Sequence, residues 1–372
     1  MSDHEIMLQA VALAEQAKGA TAPNPCVGAV IVNNGRIVAR GFHQLAGGPH
    51  AEVEAMAQAR EKGIDLRQCE LWVTLEPCNH QGRTPPCTAA ILEAQIPRVV
   101  VGTRDPNPRV RGGGIQRLRS HGIQVEVGVS EQACQDLIAD FVCWQEQARP
   151  YVLLKLASTL DGRIGSRSGH SAWVTGEAAR LRVHRMRSMV QAVLVGGTTL
   201  MTDDPSLTCR LEHRPSARQP LAVAVTSSLP EPEAGLTLLR ERPGELILLT
   251  PADTADSPRA EELRGKGVRI WPLPGNAGGL DLLPGLERLY AQMGCYYLLC
   301  EGGGRLAMSL AEQRLVDELH CIFAPRVLGD DLGKSSFAGR RVQSMDQALN
   351  WRFVSQDMMG RDLWTVLRPV AA

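Results

Sequence analysis

Apolar residues recur at helical spacing near the start of the chain, at Ile6, Met7, Ala10, Leu13, Ala14 and Ala17, which predicts a helix within the first twenty residues. The pattern then shortens. Apolar runs at 27–32, 36–41, 71–75, 98–102 and 124–129 predict strands, the first two joined by the turn Asn33-Asn34-Gly35. Between them lie a helix opened by Pro49 and stopped near Gly63, another opened by Pro86 and Cys87, and a short one over 114–120. Ser130 caps a closing helix that runs to about Gln147. This order predicts a layered α/β domain built on one mixed sheet.

Past Gln147 the rhythm changes. Strand patterns at 151–157, 192–196, 221–226, 245–250, 268–273, 296–300 and 320–325 alternate with helical patterns at 176–189, 280–293 and 305–315. Such alternation predicts a mostly parallel, doubly wound sheet, with the tail over 351–370 adding antiparallel strands at an edge. A chain of 372 residues exceeds what one core usually supports. Two domains are expected, 1–148 and 149–372, packed rather than tethered because no Gly/Ser-rich linker separates them.

Composition adds exclusions. The chain is 44% hydrophobic and 22% charged, ordinary for a globular protein, and its forty basic residues balance forty acidic ones. That balance predicts neither a nucleic-acid nor a membrane partner. The N-terminus lacks a basic leader followed by an apolar core, and no apolar run approaches the ~20 residues of a membrane span, so a cytoplasmic protein is expected. In that reducing setting most of the ten cysteines read as small buried hydrophobes. Cys78 and Cys87 differ, being set among prolines and polar residues.

Those two cysteines answer His50-Ala51-Glu52. One imidazole and two thiols can hold zinc on three sides and leave a fourth position for water. Residues two apart on a regular helix point about 200° apart. His50 and Glu52 can therefore share a site only in an irregular first turn, where Pro49 places them. A closed, structural zinc site would need a fourth protein ligand, and His43 and His80 are at hand. Glu52 favours the open site, because a carboxylate beside metal-activated water suits hydrolytic deamination. The zinc deaminase pattern is H-x-E followed by P-C-x-x-C. Here eight residues separate the cysteines instead of two.

The stretch through Pro23-Asn24-Pro25, Val27-Gly28, His50-Ala51-Glu52 and Glu76-Pro77-Cys78 resembles the cytidine deaminase superfamily. The insert from Asn79 to Cys87 narrows the resemblance to the bifunctional pyrimidine deaminase/reductases of riboflavin biosynthesis, in which the second cysteine also comes late. The resemblance implies a three-layer α/β/α deaminase domain, zinc on His50, Cys78 and Cys87, Glu52 as catalytic acid/base, and Asn24 facing the pyrimidine. Asn79 and Gln81 depart from the serine and histidine usual in the family, and His80 and Arg83 carry no assigned role.

In the second half, Val195-Gly196-Gly197-Thr198-Thr199 and Glu301-Gly302-Gly303-Gly304-Arg305-Leu306 each follow a strand, where glycines let backbone amides approach phosphate. With Lys155 to Arg163, Ser171 to Thr175 and Asp203 to Thr208, they resemble the reductase half of the same family, a dihydrofolate reductase-like α/β domain. By that resemblance NADPH meets Ala157, Trp173, Thr199, Asp203, Ser227, Gly303, Gly304, Arg305, Leu306, Ala307, Met308 and Ser309. The substrate, a pyrimidine ribosyl phosphate, meets Ser171, Arg187, Leu207, Arg210 and Glu301. Ala157-Ser158-Thr159 stands where the family usually has Gly-Ala-Ser. Arg180, Arg182 and Arg185 are expected to form a solvated face, while Lys155 and Asp203 are the groups to test first. The same residues leave two rivals, a nucleic-acid base deaminase with an unrelated second domain and a non-catalytic zinc module. A homo-oligomer is compatible with the resemblance.

Overall fold

The computed structural model describes residues 1–81, 85–107, 113–170, 174–211, 219–276 and 278–370. The chain divides into two compact units, Met1–Gln147 and Ala148–Ala372.

The first unit runs α1 (Asp3–Glu15), β1 (Gly28–Asn33), β2 (Arg36–Phe42), α2 (Ala51–Glu61), β3 (Glu70–Leu75), α3 (Cys87–Glu93), β4 (Arg98–Thr103), α4 (Gly113–Ser120), β5 (Gln124–Val127), α5 (Glu131–Leu137) and α6 (Ala139–Gln147). Its sheet has the order β2-β1-β3-β4-β5, antiparallel on either side of β1 and parallel from β3 to β5. Alternate strand residues feed two cores. Ile31, Leu71, Val73 and Val99 meet Ala55, Met56, Ile91 and Leu118 of α2, α3 and α4 on one face. Val30, Trp72 and Val100 meet Met7, Ala10 and Cys134 of α1 and α5 on the other. Being buried on both faces, these strands read as continuous apolar runs. The single closing helix expected after Ser130 is two, broken at Ile138.

Local rules set the helix ends. Ser2 and Glu5 form a reciprocal capping box on α1. At the end of α2, Gly63 takes a φ of 68° while its N–H donates to Arg60 O and that of Ile64 to Ala59 O. This is the Schellman arrangement that glycine permits.

The second unit runs β6 (Tyr151–Thr159), β7 (Arg163–Gly165), α7 (Glu177–Met189), β8 (Ala192–Gly196), α8 (Gly197–Asp203), β9 (Leu221–Val225), α9 (Thr237–Glu241), β10 (Leu246–Pro251), α10 (Ala252–Ala255), α11 (Pro258–Gly265) and β11 (Arg269–Leu273). It continues through β12 (Gly275–Asn276), β13 (Gly279–Leu280), α12 (Leu283–Met293), β14 (Tyr297–Cys300), α13 (Gly304–Glu312), β15 (Glu318–Ala324), β16 (Lys334–Ser335), β17 (Trp351–Met359) and β18 (Asp362–Pro369). The main sheet has the order β11-β10-β9-β8-β14-β6-β15-β18-β17. Its first seven strands are parallel, and the C-terminal hairpin adds the antiparallel β18 and then β17 at the edge.

Leu286, Leu289, Ala307 and Leu310 of α12 and α13 pack in one core with Val152, Leu154 and Leu156 of β6. Asp317 pins the start of β6. It accepts two bonds from the Arg149 guanidinium, at 2.6 and 2.8 Å, and one from the Val152 N–H at 2.7 Å. The order also matters for chemistry. The chain winds outward from β8 to β11 and later inserts β14 between β8 and β6, so connections diverge at the carboxyl ends of these central strands. Open α/β sheets bind ligands at such a point.

Candidate active sites

In the first unit the geometry begins at the start of α2. His50 is its N-cap, with extended backbone (φ −78°, ψ 158°), whereas Glu52 lies inside the first turn. A break in helical geometry between them removes the 200° problem. Cys87 opens α3 behind Pro86, and Cys78 lies in the loop after β3. The Cys87 N–H donates to Cys78 Sγ at 3.3 Å, and the Thr88 N–H to Cys78 O at 3.2 Å, so the start of α3 is laid against the loop. His50 Nδ1 stands 3.1 Å from Cys87 Sγ and 3.5 Å from Cys78 Sγ. The three donor atoms all lie within 4.8 Å of one another. An imidazole nitrogen and two sulfurs so close are a fitting donor set for zinc with one position left open.

The protonation pattern agrees with that reading. The Cys78 thiol is held down to about 4, first by its hydrogen bond with the Cys87 thiol and then by bonds with His50 and the Cys87 amide. Cys87, the other partner of that bond, is pushed up. Hydrogen bonding to Cys78 raises His50. Glu52 is only 3% exposed, and burial, reinforced by the nearby Cys78 charge, raises its carboxyl above the ordinary range. A buried carboxyl tuned upward beside a metal-ligand cluster is suited to proton transfer.

His43 does not complete a four-ligand cage. Its Nδ1 donates to Pro49 O at 2.9 Å, and its Nε2 accepts from the Asn24 amide at 3.2 Å. Burial lowers its pKa, consistent with this neutral form. The imidazole therefore connects Asn24 to the residue preceding His50. His80 is exposed and lies outside the donor cluster. Asn79 Oδ1 accepts from the Thr88 hydroxyl at 2.9 Å. Arg83 lies outside the described residues.

No motif assigns Glu76 a role, yet its buried carboxylate organises the wall behind Cys78. One oxygen accepts from the Gly114 and Ile115 N–H groups at 3.1 and 3.2 Å, the other from the Asp105 N–H at 3.3 Å. Helix starts leave such donors without intrahelical partners. Gly114 has no alternative here, since a Cβ would lie 1.9 Å from the Pro77 carbonyl oxygen.

In the second unit a cavity of about 280 Å³ opens at the carboxyl ends of β6 and β14 and the start of α8. Lys155, Ala157, Thr199, Asp203, Glu301 and Gly303 are among the residues lining it. The residues flanking Gly303 divide. Gly304 is buried with the Ser335 carbonyl where a Cβ would stand, 2.2 Å away, and Leu306 and Ala307 turn into the core. Arg305 is exposed, and Met308 and Ser309 are half-buried, with Ser309 Oγ accepting from Gln313 at 3.0 Å. Ser227 is exposed just beyond β9. Ser171 and Trp173 lie outside the described residues.

Glu301 on the wall of this cavity is paired. Arg187 holds Glu301 through two bonds of 2.6 and 3.1 Å, and its third nitrogen donates to Thr208 O at 3.0 Å. Burial alone would raise the Glu301 carboxyl. Arg187, and less strongly Lys155, outweigh burial and hold it below the ordinary range. Burial likewise lowers the Lys155 ammonium, against the pull of Glu301. Burial raises Asp203. Leu207 is buried with a φ of 51°, and Arg210 is exposed. The solvated arginine face holds only for Arg185. Arg180 lines the cavity, and Arg182 lies 4.5 Å over the Trp364 ring and pairs with Asp357 at 2.9 Å. Helical spacing showed the three together but could not show what each would meet.

A three-donor metal cluster with a buried carboxyl, followed in the same chain by a doubly wound unit with a glycine-edged cavity, defines a zinc deaminase fused to a reductase. Comparison with known proteins agrees. Residues 1–103 match the cytidine and deoxycytidylate deaminase zinc-binding region, and residues 150–365 match the RibD C-terminal domain. The riboflavin biosynthesis protein RibD of Actinobacillus pleuropneumoniae is 38% identical, over 100% of this chain and 97% of its own. That of Escherichia coli K12 is 37% identical, over 89% and 90%. The solved RibD of Acinetobacter baumannii superposes with a TM-score of 0.77 at 36% identity, covering 99% of both chains. The chain belongs to the RibD family, the bifunctional deaminase/reductases of riboflavin biosynthesis. Its first unit has the cytidine deaminase-like fold and its second the dihydrofolate reductase-like fold, with zinc and NADPH as the respective cofactors. Among the described residues no helix is long and apolar enough to cross a membrane.

Proposed function

We propose that the first unit hydrolyses the 2-amino group of 2,5-diamino-6-ribosylamino-4(3H)-pyrimidinone 5′-phosphate, releasing ammonia. The second unit then reduces the ribosyl chain of the product to ribityl with NADPH. A solved relative from Thermotoga maritima, 35% identical over 99% of both chains with a TM-score of 0.76, carries the name diaminohydroxyphosphoribosylaminopyrimidine deaminase/5-amino-6-(5-phosphoribosylamino)uracil reductase. The observation that carries the reading is the convergence of His50, Cys78 and Cys87 beside the buried Glu52.

His50, Cys78 and Cys87 would hold zinc, which supplies the Lewis acidity that makes water nucleophilic near neutral pH. Glu52 takes the proton from the nucleophile and passes it to the departing nitrogen, a task that favours a carboxyl tuned upward. Asn24, with its amide oriented by His43, contacts the pyrimidine. In the second unit NADPH carries the hydride, and the chain orients it and supplies charge. Lys155, whose ammonium burial makes easier to deprotonate, is the proton source to test. Arg187 is committed to Glu301 and Thr208, so Arg210 is the cation assigned to the substrate phosphate.

The pyrimidine phosphate, incubated with the zinc-loaded protein with and without NADPH, tests both halves. Ammonia should appear in either case, and NADPH should be oxidised only after deamination. Ammonia without any NADPH oxidation would remove the reductase assignment. Wild-type ammonia release from Glu52→Gln would remove the acid/base assignment.

A further inference from the structure

The segment 204–211, which carries Arg210, has no regular structure beyond α8, and Asp204 and Leu207 both have positive φ, 39° and 51°. Its course must be set by what holds it. Three bonds tie it to α7. Arg187 donates to Thr208 O at 3.0 Å, the Cys209 thiol donates to His184 O at 3.4 Å, and the Arg210 N–H donates to His184 Nδ1 at 3.3 Å. Gln219 braces the same turn by accepting from the Cys209 N–H at 2.8 Å and donating to Cys209 O at 3.2 Å. The Arg210 bond is the one made by a side chain of α7 to the residue assigned to the substrate phosphate. An N–H can only donate, so Nδ1 of His184 must be the unprotonated ring nitrogen.

We infer that His184 is a positioning residue of the reductase site, whose Nδ1 fixes the backbone from which the Arg210 guanidinium reaches the substrate phosphate. This rests on the reading of Arg210 as a substrate contact. The imidazole faces Arg187 on its own helix, Arg210 on the segment and Glu301 beyond β14. Burial, then the two guanidinium groups, lower its pKa against the opposing pull of Glu301, which keeps the ring neutral and able to accept. His184 is half-buried, one turn before Arg187 on the same helix, so α7 orders the anionic and the cationic sides of the site together.

The test uses the full-length protein, the deaminated pyrimidine phosphate and NADPH. His184→Ala should raise KM for the pyrimidine about five- to tenfold, the scale of one lost hydrogen bond. Its kcat, its KM for NADPH and its ammonia release should stay near wild type. His184→Asn, whose side-chain oxygen can take the place of Nδ1, should restore KM. Wild-type KM should climb as the pH falls below the ordinary imidazole range and the ring protonates, and that climb should be shallower in His184→Asn, where only the substrate phosphate titrates. Arg210→Ala is measured alongside. If it raises KM while His184→Ala does not, the role of His184 is overturned and the substrate reading stands. If Arg210→Ala leaves KM unchanged, the substrate reading falls and the inference falls with it. Loss of kcat and NADPH binding in His184→Ala without rescue by Asn would assign the residue to packing and overturn the inference.

Discussion

The two candidate sites are assembled in opposite ways. In the first unit four chemical groups come from positions 50 to 87, and two helix starts and one loop bring them together. In the second, Lys155, Arg187, Asp203 and Glu301 come from a strand, two helices and a loop spread over nearly 150 positions. Only a sheet that places β14 between β8 and β6 makes neighbours of them. A metal site depends on a few donors at short range and survives as a motif. A cofactor cleft depends on topology, so its residues look ordinary until the sheet is formed.

Substitutions at the metal cluster should have the largest effect and show how far that site is self-contained. Cys78→Ser or Cys87→Ser should lose zinc, measured by metal analysis, and ammonia release should fall to background. NADPH oxidation with the deaminated pyrimidine should persist in both variants. A parallel loss would mean that the second site depends on the first. Glu52→Gln should keep the metal while ammonia release falls by about 10²- to 10⁴-fold, the usual contribution of a positioned acid/base.

In the second site the corresponding weak point is the Arg187–Glu301 pair. Glu301→Gln leaves Arg187 and Lys155 without their counter-charge, and breaking a buried pair from one side costs about 3 kcal/mol. Denaturant unfolding followed in the second unit would measure it. The pH sign follows from the depressed carboxyl. Its stabilisation is fully present above the ordinary glutamate value of about 4.3 and is lost as pH falls through the lower folded value. Wild-type stability should therefore decline more steeply than that of Glu301→Gln across this acid range. Equal slopes would show that the pair does not couple to folding.

Glu76→Ala tests the wall behind the metal cluster. It removes an acceptor serving three backbone N–H groups and should destabilise the first unit by about 2 kcal/mol. Zinc content below the unfolding transition should be unchanged. Metal loss without a stability change would instead make Glu76 part of the metal site's support. The smallest expected effect is the KM change of His184→Ala.

By itself the sequence determined the long strands, the longer helices and the donor set of the first site. Buried strands announced themselves as apolar runs, and the strand-rich order of both units follows from them. His50-Ala51-Glu52, Cys78 and Cys87 were legible because zinc chemistry accepts few donor types. Less visible were short or polar helices such as α8 and α11, where few inward residues leave too little periodicity to detect. Tertiary structure alone decided which partners His43 would meet, that Glu76 would cap α4, and that Arg180 would line a cavity while Arg185 faced water. It also decided that α7 would present His184 and Arg187 to one loop. The reason is physical. Local pattern records which face of an element is apolar, but the partner of a polar group depends on strand order and loop path, which join residues far apart in the chain.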